Sequence, residues 1–136
     1  MTPILPRYVA VQYPTYTEDR QGQSRQCFWL VESLVITLST GLTLTIPAGF
    51  CTDFASVPKL LWWIFPPVGD HILADVVHDY LYASHLLSRA DADREFLLLM
   101  KHLRPLPRSW VDNHLRYLAV RIFGRGPYAR MGQLKR

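Results

Sequence analysis

The sequence predicts an α+β fold, with an N-terminal antiparallel β-hairpin or small sheet followed by three helices that include an antiparallel helix pair. Two patterns predict it. Between Leu34 and Ile46 apolar and polar residues alternate at a period of two, as on a strand with one buried face. From position 72 onward apolar residues recur at spacings of three and four, as on the buried stripe of a helix. The 136 residues, 49% hydrophobic and 19% charged, suit one domain with its own core and exclude a disordered chain. The expected parts are a β-rich 1–50, a motif loop at 50–58, a helical 70–123 and a basic tail at 124–136.

Tyr8 to Tyr13 is a candidate first strand, and the polar stretch Glu18 to Ser24 reads as a loop. Gln26 to Leu38 is rich in the β-branched and aromatic residues that favour strands. Ser39-Thr40-Gly41 supplies a turn, after which Leu42, Leu44 and Ile46 alternate with Thr43 and Thr45, completing a hairpin. Pro47-Ala48-Gly49 ends the hairpin and opens an irregular stretch through Pro58. Asp70 can cap a helix expected over 71–84, with apolar residues at 72, 73, 76, 77 and 80. Ser88 followed three residues later by Asp91 resembles a capping box and starts a second helix over 89–103. Pro105 and Pro107 break the chain, and a third helix over 109–123 ends at Gly124. Cys27 and Cys51 are too few for a disulfide framework and lack zinc spacing; both are expected as half-buried strand residues.

The longest nearly apolar run, Leu60 to Val68, holds two prolines and is about half the length of a spanning helix, so no transmembrane segment is expected. The N-terminal residues lack the pattern of a secretory signal, which places synthesis in the cytoplasm. Charge is unevenly spread: residues 101–136 carry nine basic side chains against Asp112 alone, a balance of +8. Such a segment suits an anionic partner, and a solubilising surface is the plainer reading. Nucleic acid is disfavoured, because no zinc-finger spacing, ribonucleoprotein signature or phosphate-binding glycine loop is present. Trp62, Trp63 and Phe65 read as core packing ahead of an interface.

Asp75, His78, Asp79 and Tyr82 are related by helical steps of three and four, so they crowd one side of the first helix. Three ionisable groups and a phenol there are costly unless partners satisfy them. Asp93 shares a face of the second helix with Phe96, Leu97 and Met100. With the connecting turn centred near Leu86 and Leu87, His78 and Asp93 differ in axial height by only about 3 Å, at a rise of about 1.5 Å per residue. A His78–Asp93 hydrogen bond is therefore expected, which would orient the imidazole and raise its basicity. Asp75 reads as a surface charge, Asp91 as a cap, and His85, His102 and His114 as solvated or partly buried. Ser56 has no nucleophile-elbow context. Asp53 either caps the loop at Ala55 or Ser56 or reaches the His78 face.

Ile46-Pro47-Ala48-Gly49-Phe50, Thr52-Asp53-Phe54-Ala55-Ser56-Val57-Pro58, His78-Asp79-Tyr80-Leu81-Tyr82 and Ser88-Arg89 with Ala92-Asp93 and Phe96 resemble the bacterial and bacteriophage domain-of-unknown-function family 1353. The resemblance runs from about Ile46 to Phe123 and singles out Thr52, Ser56 and Arg89 as motif residues. It implies a phage or prophage setting without assigning an activity, and with it a virion-associated location after synthesis in the host cytoplasm. His78-Asp79-x-x-Tyr82 with Asp93-x-x-Phe96 is also similar to the helix pair of phospholipase A(2) enzymes. That similarity implies His78 as base, Tyr82 and Asp93 as its orienting pair, and Asp79 as a ligand of calcium or another divalent metal. This chain lacks the Gly-rich calcium loop and the stapling cysteines of those enzymes, which leaves Phe50 to Val57, with Asp53 foremost, to supply further oxygen ligands.

Two functions follow as expectations. One is a phage hydrolase using a His-Asp dyad to activate water on a cell-envelope lipid or another ester or amide, with an anionic lipid or envelope component as partner. The other is a non-enzymatic tail or virion assembly protein that docks phage structural proteins and uses the polar helix face as a buried network. An open cleft and a metal at His78 favour the first; a sealed His78–Asp93 contact and a large exposed apolar face favour the second.

Overall fold

A computed structural model describes residues 3–6, 11–18, 24–52, 72–103, 107–126 and 128–129. The chain forms two compact units, Met1–Asp53 and Phe54–Arg136. The first is all β. Its strands β1 (Val11–Glu18), β2 (Ser24–Leu30) and β5 (Cys51–Thr52) form one antiparallel sheet in the order β1-β2-β5. A second sheet pairs β3 (Leu34–Thr37) with β4 (Thr43–Ile46).

The β3–β4 hairpin follows from its alternation. Leu34 pairs with Ile46 and Ile36 with Leu44; all four are buried, as is Leu38, whereas Val35 is exposed on the other face. The hairpin closes where Gly41, at φ 90°, donates to the Leu38 carbonyl at 2.9 Å, a left-handed position that glycine occupies without strain. Gly49, at φ 87°, fills the matching position of the Pro47–Phe50 turn, whose Phe50 N–H reaches the Pro47 carbonyl at 3.2 Å. That turn sends the chain back beside β2, where Leu30 and Phe50 share a backbone bond of 3.0 Å.

Three features depart from the expectations. The first strand runs further than Tyr13, to Glu18, while residues 8–10 lie outside the described residues; it crosses Pro14 with a register shift between Gln12 and Thr15, and a proline, which has no N–H to give, is accommodated at such an irregularity. The stretch after Gly49 was expected to be irregular but contributes the two residues of β5. Cys51, half-buried in that strand, is disulfide-bonded, a pairing the cysteine count had not suggested. Residues 19–23, Asp70, and the Asp53, Ser56, Trp62, Trp63 and Phe65 positions lie outside the described residues.

The second unit is helical: α1 (Ile72–Ser84), α2 (Arg89–Leu103) and α3 (Pro107–Phe123). Helix α3 starts two residues earlier than expected because Pro107 opens it, a position where its fixed φ and missing N–H cost nothing. The α2 cap forms as read, with the Asp91 N–H donating to Ser88 Oγ at 3.2 Å. Helix α1 ends at His85, whose φ of 54° lets its N–H close on the Leu81 carbonyl at 3.0 Å. The four-residue turn makes α1 and α2 antiparallel neighbours. Helix α1 is buried around most of its circumference, with Leu73, Ala74, Val76, Val77, Leu81 and Tyr82 inside. Phe96, Leu99 and Met100 of α2 and Ala119 and Val120 of α3 are likewise buried. Ser88→Ala should cost about 1 kcal/mol, the usual worth of an N-cap, seen as a lower urea midpoint with an unchanged m value.

Candidate functional site

Asp93 is the centre of the site. Its carboxylate, 0% exposed, lies on the inner face of α2 and collects donors from all three helices. His78 Nε2 of α1 is 2.7 Å from Oδ1, and the Tyr82 hydroxyl, one turn further along α1, donates to the same oxygen at 2.6 Å. Arg121 Nη1 of α3 donates to Oδ2 at 2.9 Å, and Arg89 Nη1 stands 3.7 Å from Oδ2. Burial alone would push the Asp93 carboxyl up, but the bond and charge of His78 and the bonds from Tyr82 and Arg121 outweigh it, holding its pKa below the ordinary 3.8. Burial is also the main reason the Tyr82 hydroxyl is pushed well above its ordinary 10.0, reinforced by the carboxylate it donates to.

An ionised carboxylate only accepts hydrogen bonds, so the His78–Asp93 contact requires a proton on Nε2. This fixes the tautomer: in a neutral imidazole the lone pair is left on Nδ1. The ring packs against two others, Tyr82 with centroids 4.1 Å apart and Phe96 at 4.6 Å. Among the described residues no hydrogen bond reaches Nδ1, although His78 is only 1% exposed.

The C-terminal end of α3 closes the other side. Arg89 Nη1 donates to the carbonyls of Val120 and Arg121 at 3.2 and 3.1 Å, capping the last turn of α3, where the Val120 carbonyl also accepts the Gly124 N–H at 2.8 Å. Gly124 lies against Tyr82 so closely that a Cβ there would collide with the phenol oxygen and the Val120 carbonyl. Tyr128 packs edge-on against Tyr82 at 5.1 Å, stacks on His85 at 3.9 Å and donates its hydroxyl to the Leu87 carbonyl at 3.0 Å.

Of the residues expected from sequence, the structure brings His78, Tyr82 and Asp93 together and adds Arg89. Asp79 is buried beside them, at 1% exposed, and has interactions of its own. Thr52 lies in β5 in the other unit, and Asp53 and Ser56 lie outside the described residues. Calcium takes six to eight oxygens. Among the described residues no group of three or more His, Cys, Asp or Glu side chains is placed to hold a metal ion. The described donors therefore do not fit a calcium centre. His85 and His102 are exposed and His114 half-buried. The sequence reading missed the roles of Arg121, Gly124 and Tyr128. Gly124 left the clearest trace, as the residue after the last helix.

A family model described as a protein of unknown function, DUF1353, matches residues 28–120. The chain belongs to this family. The DUF1353 match runs from within β2 to Val120 of α3, and so contains His78, Tyr82, Arg89 and Asp93 and stops short of Arg121. No curated protein and no solved structure matches the chain, so the phospholipase A(2) likeness rests on the helix-pair motif alone.

Three outcomes are expected from this geometry. Asp93→Ala should cost about 3–5 kcal/mol by leaving the buried donors His78 and Tyr82 and the half-buried guanidinium groups of Arg89 and Arg121 without their acceptor. Because the Asp93 pKa is lowered on folding, its ionisation stabilises the fold above the ordinary carboxylate range, and that contribution disappears as pH falls through the folded-state value. The Tyr82 pKa is raised, so its contribution is complete below about pH 10 and is lost as pH rises beyond it. Urea unfolding across pH should therefore give Asp93→Asn a flatter acid limb and Tyr82→Phe a flatter alkaline limb than wild type. Gly124→Ala should cost about 1–3 kcal/mol through the collision with Tyr82, measured as a lowered melting temperature.

Proposed function

We propose that this DUF1353 protein is a phage or prophage hydrolase that uses His78 to activate water against an ester or amide, a cell-envelope lipid among the candidate substrates. The observation that carries the reading is the asymmetry of the imidazole: Nε2 is bonded to Asp93, while Nδ1 has no hydrogen-bond partner among the described residues. An unpaired buried polar atom costs about 1–3 kcal/mol, and a general base needs such an atom. In the proposed step Nδ1 takes a proton from water as the oxygen attacks the substrate carbonyl, and the imidazolium then gives that proton to the leaving alcohol or amine as its bond to the acyl carbon breaks. Asp93 stabilises the resulting imidazolium and holds the ring in register, and Tyr82 and Arg121 keep the carboxylate in place. No step is assigned to a metal.

The second reading, a non-enzymatic tail or virion assembly protein, is favoured by the near-complete burial of His78, Tyr82 and Asp93, at 1%, 0% and 0% exposed, which suits a structural network. The disulfide at Cys51 supports an envelope or virion location over prolonged residence in a reducing cytoplasm.

The readings separate on His78→Ala and Asp93→Asn, assayed on a panel of carboxylic esters, amides and phospholipids. As a hydrolase, the wild type turns over at least one of them, and His78→Ala removes at least about 100-fold of the rate in protein that remains folded by circular dichroism. As a structural network, no substrate is turned over and any phage phenotype declines only in step with the amount of folded protein.

A further inference from the structure

Helix α3 has two opposed faces. Asn113, Arg116 and Val120 are buried, at 1%, 6% and 0% exposed. On the opposite side Val111, Leu115, Leu118 and Ile122 are 56%, 45%, 51% and 68% exposed, with Phe123 exposed beyond them. Their spacings of four, three and four place them in one row, an apolar ridge about 17 Å long at 1.5 Å per residue. Scattered exposed leucines need no explanation, but a continuous row marks a surface that something else covers.

The charge around the ridge selects the occupant. It lies in the segment with nine basic side chains and one acidic one. The acid, Asp112, is bonded to Arg116 Nε at 2.9 Å, and Arg121 is taken up by Asp93 at 2.9 Å, so the described basic side chains left for a partner are those held by neither carboxylate. Lys101 and Arg125 are exposed. A second copy would bring two cationic faces together. Nucleic acid would gain from the basic residues but leave the ridge in water. An anionic bilayer satisfies both: acyl chains receive the apolar row, and headgroup phosphates receive the basic side chains.

We propose that α3 is a surface anchor that lays its Val111–Leu115–Leu118–Ile122 ridge into the interface of an anionic lipid bilayer. This holds whether or not His78 performs hydrolysis. The test is co-sedimentation of the full chain with phosphatidylcholine vesicles containing one quarter phosphatidylglycerol. Wild type should be retained at low salt, less at about 0.5 M salt as charges are screened, and less on pure phosphatidylcholine. The double variant Leu118→Gln/Ile122→Gln should lose about tenfold or more of its vesicle affinity with an unchanged circular dichroism spectrum, since both side chains are exposed. Arg125→Glu, which leaves the ridge intact, should weaken binding to the anionic vesicles and not to the neutral ones. The proposal is overturned if wild type is not retained at low salt, or if the ridge variant binds as wild type does. Preferential retention on duplex DNA independent of the ridge overturns it in favour of nucleic acid. A wild-type dimer that the ridge variant dissociates overturns it in favour of a second copy.

Discussion

The helical unit is organised around one buried negative charge. A carboxylate removed from water costs several kcal/mol unless its oxygens are met by donors of good geometry. Asp93 meets that demand by drawing on each of the three described helices: His78 and Tyr82 from α1, Arg89 from its own helix and Arg121 from α3. Each donor fixes something else. His78 acquires a defined tautomer, Tyr82 a raised pKa, and Arg89 is placed where it also caps α3. Removing the charge would therefore disturb helix packing, imidazole orientation and a helix terminus together, because all three depend on the same two oxygens.

The parts of this arrangement that were legible in the sequence are those governed by local rules. Helical spacing places Asp75, His78, Asp79 and Tyr82 on neighbouring turns whatever the tertiary fold, and a short turn fixes which residues of α1 and α2 lie at equal height. His78 and Asp93 could therefore be paired before any coordinates were considered. The β3–β4 hairpin was readable for a similar reason, since a period of two and a turn glycine together set its register. Arg121 was not readable in this way. Its reach to Asp93 depends on how α3 packs against α2, and arginines are common enough on helix surfaces that spacing alone does not single one out. The metal role of Asp79 rested on analogy with another helix pair, and Asp53, the ligand expected to join it, lies outside the described residues, among which no ligand set is found.

The β unit shows a related limit. Alternation located the buried faces, but the extent of β1 and the existence of β5 depend on long-range pairing with β2. Two residues such as Cys51 and Thr52 carry no periodicity of their own. Their strand character comes from the Pro47–Phe50 turn, which redirects the backbone alongside Leu30. Irregular strands of this kind are specified by their neighbours more than by their composition.

The contact between Gly124 and Tyr82 also bears on the order in which the helical unit assembles. His78 and Asp93 are fifteen residues apart and joined by a tight turn, so the α1–α2 half of the network closes a short loop. Arg121 and Gly124 reach the same centre across separations of twenty-eight and forty-two residues. Loop closure over longer stretches costs more entropy and comes later on average. The imidazole and carboxylate thus meet early in a hairpin still open on one side, and the docking of the last turn of α3 seals them. Docking of the last turn of α3 onto that hairpin is thus the step that closes solvent away from the only buried His–Asp pair among the described residues.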